Sequence, residues 1–190
     1  MANEVLVKMG TPVCWADIGG DYSNTASGIS GTHQMTFTGL ADGDMWQGAK
    51  ADLTATRAAK YAVKCCFEWA VAPSAASYGI EVWWSSSYSA TAGTGNDGGI
   101  ESTGADADWD GIAGGAEAER DEYKRHLTFV GFFPGGLDAT AIIQVATINP
   151  AFSPPTRYGF PIIKNDSGQA LHSDDVEMYI ALIPQVDEVQ

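Results

Sequence analysis

Four carboxylates at a fixed spacing are the first residues in this chain whose types match a known chemistry. Asp106-x-Asp108-x-Asp110-Gly111, followed by five residues and Glu117, reproduces the D-x-D-x-D-G-x5-E calcium pattern. In that pattern carboxylates at alternate positions converge on the ion, and glycine permits the sharp turn. The context fits less well, because the preceding NDGGIESTGA has no helix-forming pattern and Ala113 stands where a bulky apolar residue is usual. In a stretch this rich in acid, a solvated loop gives the same letters. Calcium bound by Asp106, Asp108, Asp110 and Glu117, or no cofactor at all, both remain open.

No other constellation pairs a nucleophile with a base. His33, His126 and His172 stand alone, and there is no GxSxG elbow, HExxH or P-loop. His172 precedes Ser173-Asp174-Asp175, but residues adjacent in sequence rarely converge as a triad. Cys66 lies near Glu68, which raises a thiol pKa instead of activating it. Acids are plentiful, yet nothing singles out the two that glycoside hydrolysis needs. The chain therefore reads as a protein without enzyme activity. Its three cysteines, Cys14, Cys65 and Cys66, are expected as reduced, buried thiols, since a bridge between adjacent residues is strained and no CxxC pair offers a zinc site.

The 190 residues carry 24 acidic and 10 Lys/Arg side chains, a formal charge of −14. This charge is concentrated. Residues 97–122 hold nine acids against Arg120 alone, and residues 174–190 add Asp174, Asp175, Glu177, Asp187 and Glu188, so the remaining body is near neutral. Without clustered Lys/Arg, contacts to nucleic-acid phosphates and anionic membranes are disfavoured. No apolar run approaches the ~18 residues that span a bilayer. The start, MANEVLVKMG, lacks the regions of a secretion signal, which gives the expectation of cytosolic synthesis.

The elements that would position these residues are strands. In Tyr61 to Val71 the set Tyr61, Val63, Cys65, Phe67, Trp69, Val71 is apolar, while the alternate set is small or charged. Tyr78, Ile80, Val82 and Trp84 repeat the pattern, and the two runs predict a hairpin across Pro73. Further strands are predicted from Glu4 to Met9, His33 to Thr38, Lys124 to Phe133, Thr140 to Ile148, Tyr158 to Lys164 and Val176 to Ile183. Turns are marked by Pro134-Gly135-Gly136, Asn149-Pro150, Ser153-Pro154-Pro155 and Asn165-Asp166-Ser167-Gly168. About eight strands without crossover helices make an all-β, antiparallel β-sandwich of jelly-roll type. One domain covers 1–190, with 1–32 as an N-terminal arm and 86–122 as a long acidic loop insertion. Consecutive Trp83 and Trp84 must point to opposite faces of their strand, so one of them leaves the core.

More specific than any of these motifs is a series of phrases. Ala72-Pro73, Tyr78-Gly79-Ile80-Glu81-Val82-Trp83-Trp84, Ser89 to Asn96, Gly98-Gly99 and Phe129-Val130-Gly131 come first. Then follow Phe152-Ser153-Pro154-Pro155-Thr156-Arg157-Tyr158-Gly159, Asn165 to Ala170 and Val176 to Pro184. This order resembles a family of small virion structural proteins of tailed bacteriophages, encoded among head and tail genes. The resemblance spans roughly residues 33–190 and is most specific from SPPTRYG onward; the acid-dense form of the loop is not part of it.

The resemblance implies a capsid decoration or cement protein on the outer capsid surface of the virion, made in the host bacterial cytoplasm. Its implied partners are the major capsid protein and further copies of itself, as dimer or trimer, with no nucleic acid and no membrane. Arg157 and Tyr158 after the double proline, with the outward Trp83, are the expected interface anchors, being hot-spot residue types. A reading of another class is a virion surface or tail-associated carbohydrate- or receptor-binding module that uses Trp83, Trp109 or Tyr88.

Overall fold

The computed structural model describes residues 5–23, 25, 27–54, 58–73, 79–136, 143–174 and 176–189. In chain order they form β1 (Val5–Met9), β2 (Val13–Ala16), β3 (His33–Gln34), β4 (Met45–Gln47), β5 (Ala51–Asp52), β6 (Lys60–Glu68) and β7 (Gly79–Ser87). Then come β8 (Ala107–Asp108), α1 (Glu117–Tyr123), β9 (Thr128–Pro134), β10 (Ile143–Phe152), β11 (Tyr158–Asp166) and β12 (Tyr179–Val189). A 3-10 turn at Lys124–His126 stands where the sequence pattern had predicted the start of β9.

Two sheets face one another. The first runs β10-β6-β12-β2-β3, with β1 on the far part of β12; the second runs β8-β4-β11-β7-β9, with β5 on the start of β11. If β2, β4, β6, β7, β9, β10, β11 and β12 are counted as strands one to eight, the sheets read 1-8-3-6 and 2-7-4-5. That is the strand order of a jelly roll, two Greek keys folded face to face. The all-β sandwich expected from the alternating runs is the observed architecture. Among the described residues no helix is long and apolar enough to cross a membrane.

The predicted hairpin between the 61–71 and 78–84 runs does not exist. β6 pairs with β10 and β12, whereas β7 pairs with β11 and β9 in the other sheet. The apolar faces of both runs point at one core, so the strands look at each other across it: Tyr61, Val63, Cys65 and Phe67 meet Ile80, Val82 and Trp84 in one buried cluster. Edge-to-face rings knit this layer, with Trp15 and Trp84 at 5.6 Å and Phe67 and Phe133 at 5.1 Å between centroids. The other differences are local. The 33–38 run pairs only at His33–Gln34, parallel to β2, and the expected Asn149-Pro150 turn is a bulged continuation of β10. Residues 1–32, set apart in the sequence as an arm, contribute β1 and β2 to the first sheet.

One glycine is fixed by the packing. A Cβ on Gly159 of β11 would come within 2.5 Å of the Trp84 indole. The Gly159→Ala variant is expected to lose about 2 kcal/mol through overpacking, read by denaturant titration with unchanged slope.

Both sheets also bury part of their outer faces, which blurs the two-residue alternation. Over the first sheet, Ile29 and Tyr22 from the 17–32 segment cover Cys14, Cys66, Tyr179 and Ala181. Over the second, Trp109 and Leu127 cover Met45, Phe160 and Ile162. The long acidic segment is therefore a layer of the fold.

Candidate docking surface

One buried side chain ties the 101–108 stretch of the acidic segment to the second sheet. Gln47 of β4 donates through Nε2 to the carbonyls of Glu101 (2.7 Å) and Asp108 (3.0 Å), and its Oε1 accepts from the amides of Thr103 (2.9 Å) and Gly104 (3.1 Å). Every hydrogen-bonding valence of the carboxamide is used on the loop backbone. Trp109 is fully buried beneath the loop, its Nε1 donating to Ser102 Oγ.

The carboxylates of the calcium pattern go to separate partners. Asp106 accepts from the Thr36 amide and hydroxyl and from Trp46 Nε1, Asp110 accepts from Arg120 at 3.2 Å, and Glu117 lies 3.4 Å from Lys164 Nζ. Asp108 sits in β8, where backbone pairing to Trp46 keeps the chain extended. Among the described residues no group of three or more His, Cys, Asp or Glu is placed to hold a metal.

Helix α1 has no buried residue of its own. It is fastened by charge: buried Lys164 of β11 faces Glu117 and Asp121, Lys124 faces Asp121 and Glu81 at 2.8 Å each, and Arg120 faces Asp44 and Asp110. Burial alone would raise the Asp121 carboxyl, but hydrogen bonds and charge from Lys124 and Lys164 outweigh it and hold the group below its ordinary value.

The expected anchors Arg157 and Tyr158 come together at one end of the sandwich, where β7 ends and β11 begins. Arg157 makes a bidentate pair with Asp52 of β5, Nε to Oδ1 at 2.9 Å and a terminal nitrogen to Oδ2 at 2.7 Å. Its guanidinium also lies 4.8 Å from the centre of the Tyr158 ring. Asp52 is held below the usual carboxylate range, first by Arg157 and then by Thr54. Thr156 Oγ1 accepts from the Ser87 amide and donates to the Tyr158 carbonyl, tying the 153–158 loop to β7. Tyr88, 82% exposed, stands over the same shallow depression of about 280 Å³, together with Pro155, Thr156, Arg157 and Tyr158.

The loop beyond Tyr88 is built around a lysine. Lys50 Nζ lies 3.0 Å from Ser87 Oγ, 3.1 Å from the Ser89 carbonyl, 2.8 Å from that of Thr91 and 3.1 Å from that of Thr94. Its ammonium does for this loop what a bound cation would do, and burial lowers its pKa. Replacing Lys50 with methionine is expected to cost about 2 kcal/mol and to abolish amide protection from Ser89 to Thr94 in hydrogen exchange.

The third expected anchor, Trp83, lies elsewhere. It is half-buried on the outer face of the second sheet, with Phe129 at 4.8 Å, Lys124 over its ring, and Nε1 donating to Glu81. Trp109, a candidate sugar platform in the sequence, is ruled out for that role by its burial. His172 accepts the Asp174 amide at Nδ1. Gln47, Lys50 and Asp52 were not singled out by sequence; of these only Asp52, two residues before Thr54, carried a turn signal.

All three cysteines are free and buried. Cys65 points into the main core and Cys66 into the outer layer, which places adjacent residues on opposite faces. Burial pushes the Cys14 and Cys66 thiols up to about 12. Native protein at pH 8 is expected to resist iodoacetamide and to take up three labels only on unfolding.

Comparison with protein-family models, curated proteins and solved structures finds no match to this chain.

Proposed function

We propose that the protein is a structural component of a bacteriophage virion. In this reading it is a capsid decoration or cement protein that sets its Tyr88–Arg157–Tyr158 end against the major capsid protein and bridges neighbouring subunits. The observation that carries the reading is the preorganisation of this end. Arg157 is held by two hydrogen bonds and a ring, Tyr88 by a lysine-centred loop, and Tyr158 by Thr156. Immobilising a rotamer-rich side chain at an interface costs about 0.5–1.5 kcal/mol, and here that ordering precedes binding. Arginine and tyrosine are also the residue types that dominate interface energies.

The charge supports the outer face of the shell. A chain of formal charge −14 is repelled by packaged DNA, and nine of its 24 acids fall within residues 97–122, more than 30 positions before Arg157. A cement protein acts by mass action, since binding only the assembled shell stabilises it against internal pressure. Particles lacking the protein should lose heat resistance while adsorbing normally, and complementation with Arg157→Ala/Tyr158→Ala should not restore it. Loss of adsorption with unchanged heat resistance would instead favour the receptor-binding reading. One observation speaks for that second reading: Tyr88 is the most exposed large side chain of the chain's described core-type residues and stands beside a second tyrosine.

A further inference from the structure

The first sheet ends on β10, which pairs only with β6 among the described residues. Exposed edge strands ordinarily carry a charge, a proline or a bulge that blocks further pairing. From Ile143 to Thr147 this one carries none of them; its sequence IQVAT is uncharged, and Asp138 and Arg157 are the nearest charged residues along the chain. Ala146 and Ile148 turn inward onto the core, while Ile143 (48% exposed) and Val145 (53%) lie in solvent on the outer face. The stretch has a definite end. The register shifts between Thr147 and Asn149, and Asn149 Nδ2 donates to the Val130 carbonyl, which brings β9 against the edge.

We propose that the Ile143–Thr147 edge pairs antiparallel with the same edge of a second copy, about a two-fold axis at Val145. The occupant follows from charge. The charge of the chain is gathered in 97–122 and 174–190, and this uncharged strand of the near-neutral body lets two copies bring their backbones together without opposing like charges. A five-residue edge pairing with itself is centred on Val145, so Ile143 faces Thr147 of the partner subunit and Val145 faces its own counterpart. The next strand inward then becomes complementary. Glu68 neighbours Ile143 and Lys64 neighbours Thr147 on β6, so each row across the dimer runs from Glu68 to Lys64 of the partner subunit. The result is a continuous sheet through both copies, with β-branched side chains paired on one face. This goes beyond the virion reading and stands or falls without it, because it concerns the purified protein.

Sedimentation equilibrium over a concentration series of the full chain tests the pairing, with thermal melts confirming that each variant is folded. Wild type is expected to form a dimer. Ile143→Lys/Thr147→Lys, which sets like charges against each other twice, should weaken the dimer about tenfold or more. Ile143→Lys/Thr147→Glu, with the same number of charged side chains on each strand but opposite charges across the axis, should dimerise close to wild type. A wild-type monomer at every concentration, or equal behaviour of the two double variants, would overturn the proposal.

Discussion

Replacing Gln47 with alanine is expected to cost about 4 kcal/mol and to lower the melting temperature by roughly 10 °C. The size follows from the count of groups left behind. The side chain is fully buried and satisfies two carbonyls and two amides of the 101–108 backbone, so its removal orphans four polar groups at once. Each orphan costs about 1–3 kcal/mol if it stays dry, and water entering under the loop recovers part of that. Hydrogen exchange should show Thr103 and Gly104 losing protection first. Gln47→Glu is the sharper variant, because it keeps the shape and turns a carboxylate oxygen toward two carbonyls. Its pKa in the folded state is raised by that environment, so its stability should be highest in acid and fall as pH rises through the raised value. A Gln47→Ala loss below about 1 kcal/mol would mean that the loop is held by something else.

The charge network under α1 gives an asymmetric expectation. Removing both acids, as Glu117→Gln/Asp121→Asn, leaves the buried Lys164 ammonium without its facing carboxylates and should cost about 3 kcal/mol. Removing the lysine, as Lys164→Met, should cost about 1 kcal/mol or less, because the two acids are partly exposed and return to water. Equal losses would contradict a buried charge as the source. The pH dependence has two arms. Asp121 is depressed in the folded state, so its contribution is present above its unfolded pKa and lost as acid carries the pH through the folded one. For Lys124, burial would lower the pKa, but Asp121 and Glu81 raise it, so its contribution is present below its unfolded pKa and lost as pH climbs through the raised value. The latch is therefore tight at neutral pH and loosens toward both extremes.

What the sequence revealed follows from the range of each interaction. β6 was legible because one of its faces fills the main core and the alternation from Tyr61 to Phe67 survives in the letters. β2 was not, because Val13, Cys14, Trp15 and Ala16 are all buried and show no alternation. The three residues of β4 are too few to carry a period. Pairing failed where locality failed. Two alternating runs around Pro73 look like a hairpin, and only the rest of the chain decides that they face each other across a core.

The site divides in the same way. Arg157 and Tyr158 could be nominated as anchors by residue type, and the structure brings them together with Tyr88, but the pair that orients Arg157 comes from Asp52, 105 residues away. Gln47 reaches partners 54 to 61 residues distant and leaves no local trace. The acids of 97–122 were plain in the sequence; that Lys164 lies beneath two of them was not. That correction changes the meaning of the charge, since part of the acidic loop is internal counter-charge for the scaffold.

Cryo-electron microscopy of intact virions is the decisive test of the proposed decoration role. A decoration role requires the jelly roll on the outer capsid surface, with Tyr88, Arg157 and Tyr158 in contact with the major capsid protein and the acids of 97–122 facing away. Density at the tail tip, or an end containing Arg157 that points into solvent, would contradict it.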